Sequence, residues 1–188
     1  MQSAYKIGFI GALIYISFEM LLVIKGWNHL NYAHVIAFGF NSLCLLVIIT
    51  YSILSGFKRI KHTSPSLIID IKSGLKTTAV YAITVALFIF VYYRWIDPEY
   101  PKLKRQQLLE LTMDKKAMEE IAKNHIQENP DFFDGKSDED LIDMQQQNII
   151  EIMEPSKAFP ITLFSLMLLG MIFSFLITAL NRALLSKI

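Results

Sequence analysis

The sequence is poor in charged residues, has a single cysteine and lacks the short motifs that indicate a particular chemistry. Only 19% of its 188 residues are charged, whereas soluble domains carry about 25%. The lone Cys44 cannot form a disulfide within the chain. No nucleophile elbow, phosphate-binding glycine loop or metal-ligand spacing occurs, so we predict no catalytic residue, no cofactor and no metal site. A net charge of +1 argues against a nucleic-acid partner.

Hydrophobic residues make up 53% of the chain, and most of them lie in four runs, at residues 6–24, 32–54, 75–96 and 159–180. A helix needs about 20 residues to cross the apolar core of a bilayer. An open strand cannot face lipid, because its backbone groups would stay unbonded. We therefore predict an all-α integral membrane four-helix bundle. A secretory signal peptide is the alternative for the first run, but Lys25-Gly26-Trp27 follows it instead of a cleavage site with small residues.

Basic residues predict the orientation of the spans. The loop predicted at residues 55–74 and the start of the third span carry five bases against one acid: Lys58, Arg59, Lys61, Lys72, Lys76 and Asp70. The tail of the segment 159–188 adds Arg182 and Lys187. Short basic segments stay in the cytoplasm, so we predict cytoplasmic termini in a bacterial inner membrane and a periplasmic segment at residues 97–158. The segment at Ser64-Pro65 is predicted to be an ordinary positive-inside loop, with a short interfacial helix before the third span as the alternative.

The outer segment, residues 98–158, is acidic and has two amphipathic stretches. The first, residues 102–127, contains strong helix formers and neither Gly nor Pro. Ser137 is a suitable N-cap for the second, which ends at Pro155. Together they predict a helical hairpin between the third and fourth spans. The acids at residues 131–140 lack the alternation of a calcium-binding loop, so capping and solvation are favoured over a cation site.

Glu19 is the only acidic residue inside a predicted apolar span, and a lone carboxyl group there needs a partner. Arg94, His34 and Asn41 are placed by depth in the same half of the bilayer, and we predict a polar cluster with a Glu19–Arg94 pair. Three roles stay open for this cluster: helix packing, contact with a partner's membrane helix, or a proton or substrate site. Gly170 and Ser174 have the four-residue spacing that permits close contact between helices.

Three segments carry a resemblance to a known family: SLIIDIKSGLKTTAVYAI, the stretch from PEYP to SDEDLIDMQQQNIIEIMEPS, and LLGMIFSFLITALNRALLSK. The chain resembles domain-of-unknown-function family 4199, departing from it at Ser174, where glycine is expected. The resemblance implies a small four-span inner-membrane protein of Bacteroidota with no established activity. It also implies genes near those of membrane glycosyltransferases.

The leading functional hypothesis is a non-catalytic subunit or scaffold of a bacterial inner-membrane complex, because two amphipathic outer helices accompany a bundle without catalytic motifs. A lipid- or polyprenyl-handling accessory to an envelope glycosyltransferase is the first alternative. A small ion or proton pathway protein is the second. The partners predicted are membrane lipid and either other membrane proteins or further copies of this chain.

Overall fold

The computed structural model describes residues 2–28, 30, 32–59, 67–111, 123, 124, 126, 128, 135, 137–152 and 154–185. Within them the regular elements are helices, and no strand is formed. The α-helices are α1 (Gln2–Ile24), α2 (Ala33–Arg59), α3 (Leu67–Val91), α4 (Glu99–Leu111), α5 (Asp138–Ile152) and α6 (Pro155–Leu185). The all-α prediction is confirmed.

Four of the described helical stretches are long and apolar enough to cross a membrane: Ala4–Ile24, Val35–Ser55, Leu67–Ile96 and Pro155–Ala183. They coincide with the four apolar runs of the sequence. This agreement arises because hydrophobic length is a property of each segment alone and needs no knowledge of its neighbours.

The helix of the third span begins at Leu67, eight residues before the predicted start at residue 75, and α2 continues to Arg59. Residues 67–74 are therefore helical, although the apolar pattern assigned them to the basic loop. Asp70 lies in the first turn of α3, where an acid interacts favourably with the helix dipole. The segment at Ser64-Pro65, predicted as a loop with an interfacial helix as the alternative, lies outside the described residues.

The end of α1 is fixed by a local motif at Gly26. The N–H of Gly26 bonds to the carbonyl of Val23 at 2.9 Å, and that of Trp27 bonds to the carbonyl of Leu22 at 2.9 Å. These two bonds form a Schellman motif. Gly26 has a φ of 68°, a left-handed conformation that glycine adopts without steric strain. The Lys25-Gly26-Trp27 segment therefore ends the first span, as its composition suggested.

The described chain divides into two compact units, Met1–Ile89 with Phe159–Ile188, and Phe90–Ala158. The first unit contains most of the residues of the apolar spans, whereas residues 90–96 of the third span and 155–158 of the fourth belong to the second unit. Its core centres on fully buried side chains of α2 and α3, among them Leu45, Ile49, Ile53, Tyr81 and Val85, and the neighbouring α1 and α6 also contribute to it. The apolar segments of α2 and α3 are the more buried ones, at 44% and 39%, against 28% for α1 and 22% for α6. Large apolar surfaces of α1 and α6 are therefore left to lipid or to another protein.

The second unit opens with a π-helical turn, Tyr92–Ile96, which ends at Asp97. The Asp97 carboxylate accepts the Tyr100 N–H at 3.1 Å and the Tyr92 hydroxyl at 3.2 Å. Asp97 is thus the N-cap of α4, and Pro98 follows where no N–H is needed. The Asp-Pro exit from the third span therefore starts a new helix in addition to ending the old one.

Lys104 of α4 lies almost buried within the second unit, with 9% of its surface exposed. Its Nζ donates to Gln107 Oε1 at 2.9 Å. Burial lowers the pKa of this ammonium group, because removal from water penalises the charged form.

The acidic start of α5 is a capping box. The Ser137 Oγ accepts the Asp140 N–H at 3.2 Å, while Asp140 Oδ2 accepts the Ser137 N–H at 2.8 Å. The predicted N-cap at Ser137 is confirmed. Asp138 lies 3.8 Å from Lys123. Asp131 and Asp134, two further acids of the same cluster, lie outside the described residues.

Helices α4 and α5 contact each other within the second unit. The connecting residues 112–122 lie outside the described residues. The helical hairpin and its periplasmic position therefore stay predictions.

We expect Ser137→Ala to destabilise α5, because the Asp140 N–H loses its partner, the Ser137 Oγ. A lost N-cap typically costs about 1 kcal/mol. Hydrogen–deuterium exchange of the α5 amides should become several-fold faster, whereas Ser137→Asp should keep the protection. Ser156→Ala is the control, since that exposed hydroxyl makes only a 3.4 Å contact with Glu154. Equal exchange in Ser137→Ala and the unchanged protein would contradict the capping role.

Candidate functional site

Helices α3 and α6 approach each other through small residues. A Cβ atom added at Gly74 would overlap the Ser174 side chain, and one added at Gly170 would overlap the Thr78 side chain. Ser174 is fully buried, and its hydroxyl donates to the Gly170 carbonyl at 2.7 Å. Gly170 and Ser174, which the sequence suggested for helix packing, thus both face α3.

One turn beyond these contacts, a buried carboxylate meets an arginine. Asp70 of α3 is 3% exposed, and its Oδ2 lies 3.5 Å from Nη2 of Arg182 on α6. The two helices are antiparallel here, since Thr78 meets Gly170 and Gly74 meets Ser174. The same register places Thr178 at the level of Asp70. An ion pair and two glycine contacts therefore lie along one helix interface.

The role of Asp70 was not predicted from the sequence, where this residue stands as the single acid of a basic segment. A signal was nevertheless present. Small and polar residues recur every three or four positions along both helices, on α3 at Asp70, Gly74, Thr77, Thr78 and Tyr81 and on α6 at Gly170, Ser174, Thr178 and Arg182. Such a stripe indicates a helix–helix interface in a membrane protein.

Hydroxyl groups connect the first three helices. Thr77 Oγ1 lies 2.7 Å from Ser52 Oγ on α2 and 3.3 Å from the carbonyl oxygen of Ala4 on α1. Ser52 Oγ is also 3.0 Å from Ser73 Oγ on α3. The backbones of α1 and α3 can come this close because residue 8 is a glycine. A Cβ atom there would lie 2.5 Å from the Thr77 carbonyl oxygen. Thr77 thus joins α1, α2 and α3 at one level of the bundle.

Asn41, one of the predicted cluster residues, is bonded to α3. The Tyr81 hydroxyl donates to Asn41 Oδ1 at 2.7 Å. The Asn41 residue is 7% exposed and Tyr81 is fully buried. A buried amide and a buried phenol thereby satisfy each other between α2 and α3.

Glu19 has its hydrogen-bond partner on its own helix. The Tyr15 hydroxyl donates to Glu19 Oε1 at 2.7 Å. Tyr15 is buried, whereas Glu19 is only partly buried. The adjacent Phe18 stacks on Phe40 of α2 with ring centroids 4.1 Å apart.

The four residues of the predicted polar cluster have different surroundings. Among the described side chains, Glu19 and Asn41 bond to two different tyrosines and not to each other. Arg94 belongs to the second unit and is exposed. The side chain of His34 lies outside the described residues. A Glu19–Arg94 pair stays a prediction.

The chemistry of this interior is hydrogen bonding between helices. In the described part of the chain, no group of three or more His, Cys, Asp or Glu side chains is arranged to hold a metal ion. The hydroxyls of Thr78 and Thr178 are buried and have no hydrogen-bond partner within the described residues. Interhelical hydrogen bonds in membranes contribute about 0.6–2 kcal/mol each, so the network stabilises one arrangement of the four spans.

The comparison with protein families gives one match. The family described as "Protein of unknown function (DUF4199)" matches residues 6–187. The chain therefore belongs to this family, and the match extends over all four apolar helices. None of the curated proteins and none of the solved structures compared with the chain matches it.

We expect Gly170→Ala to destabilise the first unit, because the new methyl group would overlap the β-branched Thr78 side chain. Overpacking of this kind costs about 1–3 kcal/mol, which corresponds to a fall in Tm of several degrees. Gly39→Ala is the matched control on α2, since nothing lies within 4 Å of a Cβ there. Thermal unfolding in a mild detergent measures both variants. Equal unfolding temperatures for the two glycine variants would show that the contact between Gly170 and Thr78 does not contribute to stability.

We expect Asp70→Asn and Arg182→Gln each to lower stability, and their combination to cost less than the sum of the two. Removing one partner of a buried pair leaves the other charge uncompensated. Because about a third of the Arg182 side chain is exposed (32%), water weakens the pair. We therefore expect a cost of about 2–3 kcal/mol, below the usual cost of about 3–5 kcal/mol for a fully buried pair. The exposed pair Lys102–Glu99 is the control, and its removal should cost under about 1 kcal/mol. Strict additivity at Asp70 and Arg182 would show that they do not interact.

Proposed function

We propose that this member of the DUF4199 family is a non-catalytic subunit or scaffold of a protein complex in the bacterial inner membrane. The observation that carries the proposal is the use of polar side chains inside the first unit. Ser52, Thr77 and Tyr81 bond across helices, and Asp70 pairs with Arg182. Their polar atoms stabilise the bundle, which is what a structural membrane component requires.

The uncovered surfaces of α1 and α6 support the same proposal. Less than a third of each apolar segment is buried, at 28% and 22%. Their large side chains are exposed, for example Phe164 at 69% and Phe175 at 51% on α6. A bundle that is held together from within and keeps two helices largely uncovered has room to bind further membrane helices.

The proposed orientation places both termini in the cytoplasm and residues 97–158 in the periplasm. Its support is the distribution of charge: the segment from Asp97 to Ala158 carries 15 of the 17 acids and 8 of the 18 bases. The bases at the end of α2, at the start of α3 and at the end of α6 support this orientation through the positive-inside rule. A complex that this protein organises would then present an acidic helical unit to the periplasm.

The proposal predicts a stoichiometric protein companion in native membranes. The full chain would carry a photoreactive amino acid at Phe164 or Phe175, both exposed on α6, or at the buried Leu166 as control. We expect crosslinks to one defined protein from the exposed positions and none from position 166. Purification in a mild detergent should then recover that same protein in a fixed ratio.

Two other results would replace this proposal. Crosslinks to lipid alone, with lipid retained on the purified chain, would favour the lipid-handling alternative. A chain that purifies without a companion and conducts ions or protons in proteoliposomes would favour the pathway alternative.

A further inference from the structure

Glu19 continues the inward-facing stripe of α1. Gly8, Ala12 and Tyr15 are buried, and Glu19 follows Tyr15 by four residues, which places both on one face of the helix. The stripe is covered by the bundle as far as Tyr15, yet Glu19 is partly exposed. At the level of Glu19, Phe18 stacks on Phe40 and covers the side of α1 that faces α2. Beside that stack, the bundle leaves the Glu19 carboxyl group incompletely covered.

The Glu19 carboxyl group has acceptor capacity that the described chain does not use. Its hydrogen bond comes from Tyr15 on the same helix, whereas an ionised carboxylate offers about four acceptor sites. No other acidic or basic residue lies between Ile7 and Ile24. An acid in an apolar span is costly unless it is paired. Tyr15 is a neutral donor and does not balance the charge.

We propose that the partly open site at Glu19 receives a lysine or arginine side chain from a membrane helix of the partner protein. This inference rests on the proposed function, since it names the chemistry by which a complex would form. Charge complementarity selects a cationic occupant, because an apolar helix would bury the carboxylate unpaired. The phosphate group of a lipid would be repelled by the carboxylate.

The same argument disfavours a second copy of this chain bound through the same face. Membrane proteins of one kind associate about an axis normal to the bilayer, so two α1 helices in contact would be parallel. Glu19 would then lie beside its own counterpart, and like charges in an apolar environment repel strongly. A different protein with a basic residue at this depth avoids the repulsion and fixes the position of α1 along the partner helix.

The test compares Glu19→Gln with Ser17→Ala in the full chain purified from native membranes. Gln keeps an oxygen to accept the Tyr15 hydroxyl but loses the charge, so the bundle should still fold. We expect recovery of the partner to fall at least about tenfold. Glu19→Asp should retain much of it. Ser17 is exposed and bonded only to the Leu13 carbonyl in its own helix, so Ser17→Ala should recover the partner normally.

The outcomes separate this inference from the proposed function. A partner recovered equally with Glu19→Gln and the unchanged chain would overturn the inference and leave the proposed function standing. If no partner is recovered from any variant, both fail. If two copies of the chain crosslink through α1, the second-copy alternative replaces the basic partner.

A second measurement decides the case in which Glu19→Gln does not fold. Dicyclohexylcarbodiimide labels protonated carboxyl groups in apolar surroundings. We expect no labelling of Glu19 in the intact complex, because an ion-paired carboxylate is unprotonated and covered, and labelling once the chain has been separated from its partner. Equal labelling in both preparations would overturn the inference.

Discussion

The close contact between α3 and α6 is the constraint on which the rest of the first unit depends. Lipid tails are as apolar as leucine side chains, so no hydrophobic force brings membrane helices together. Close backbone approach and interhelical hydrogen bonds must supply the association. Gly74 opposite Ser174 and Gly170 opposite Thr78 provide the approach. The register that they set places Arg182 beside the buried Asp70.

The polar groups of the bundle differ in how completely they are satisfied. Asn41 and Tyr81 satisfy each other inside the bundle, and Thr77 is shared between Ser52 and two carbonyl groups. Among the described side chains, Glu19 is bonded to one neutral partner, Tyr15, and it is partly exposed. Buried polar atoms normally find partners, so the fully satisfied groups serve stability. The incompletely satisfied Glu19 is the natural place for contact with another molecule.

The second unit is organised mainly by contacts near in sequence. Asp97 caps α4 through a residue three positions later, and Ser137 and Asp140 cap each other over the same distance. Because such a motif requires only a few adjacent residues, the N-cap at Ser137 could be predicted from the sequence. The contact between α4 and α5 could not be predicted in the same way, because an amphipathic stripe does not specify which element covers it.

The helical class, the four spans and the ends of several helices could be predicted from the sequence. Apolar length and the need to bond every backbone group act within a segment, so no distant residue is required to recognise a span. Caps at Gly26 and Ser137 are local for the same reason. The spacing of Gly170 and Ser174 also indicated a packing face, although not which helix would fill it.

Only the tertiary structure decided which polar groups meet. Asp70 and Arg182 are 112 positions apart, and Asp70 was read as a loop residue because its partner lies on a helix that the local pattern cannot identify. Asn41 was expected near Glu19 by depth alone, but depth leaves the rotation of each helix undetermined, and Tyr81 is the side chain that faces it. Rotation and register follow from the contacts of glycines with their neighbours across helices, and those contacts form only when the helices come together.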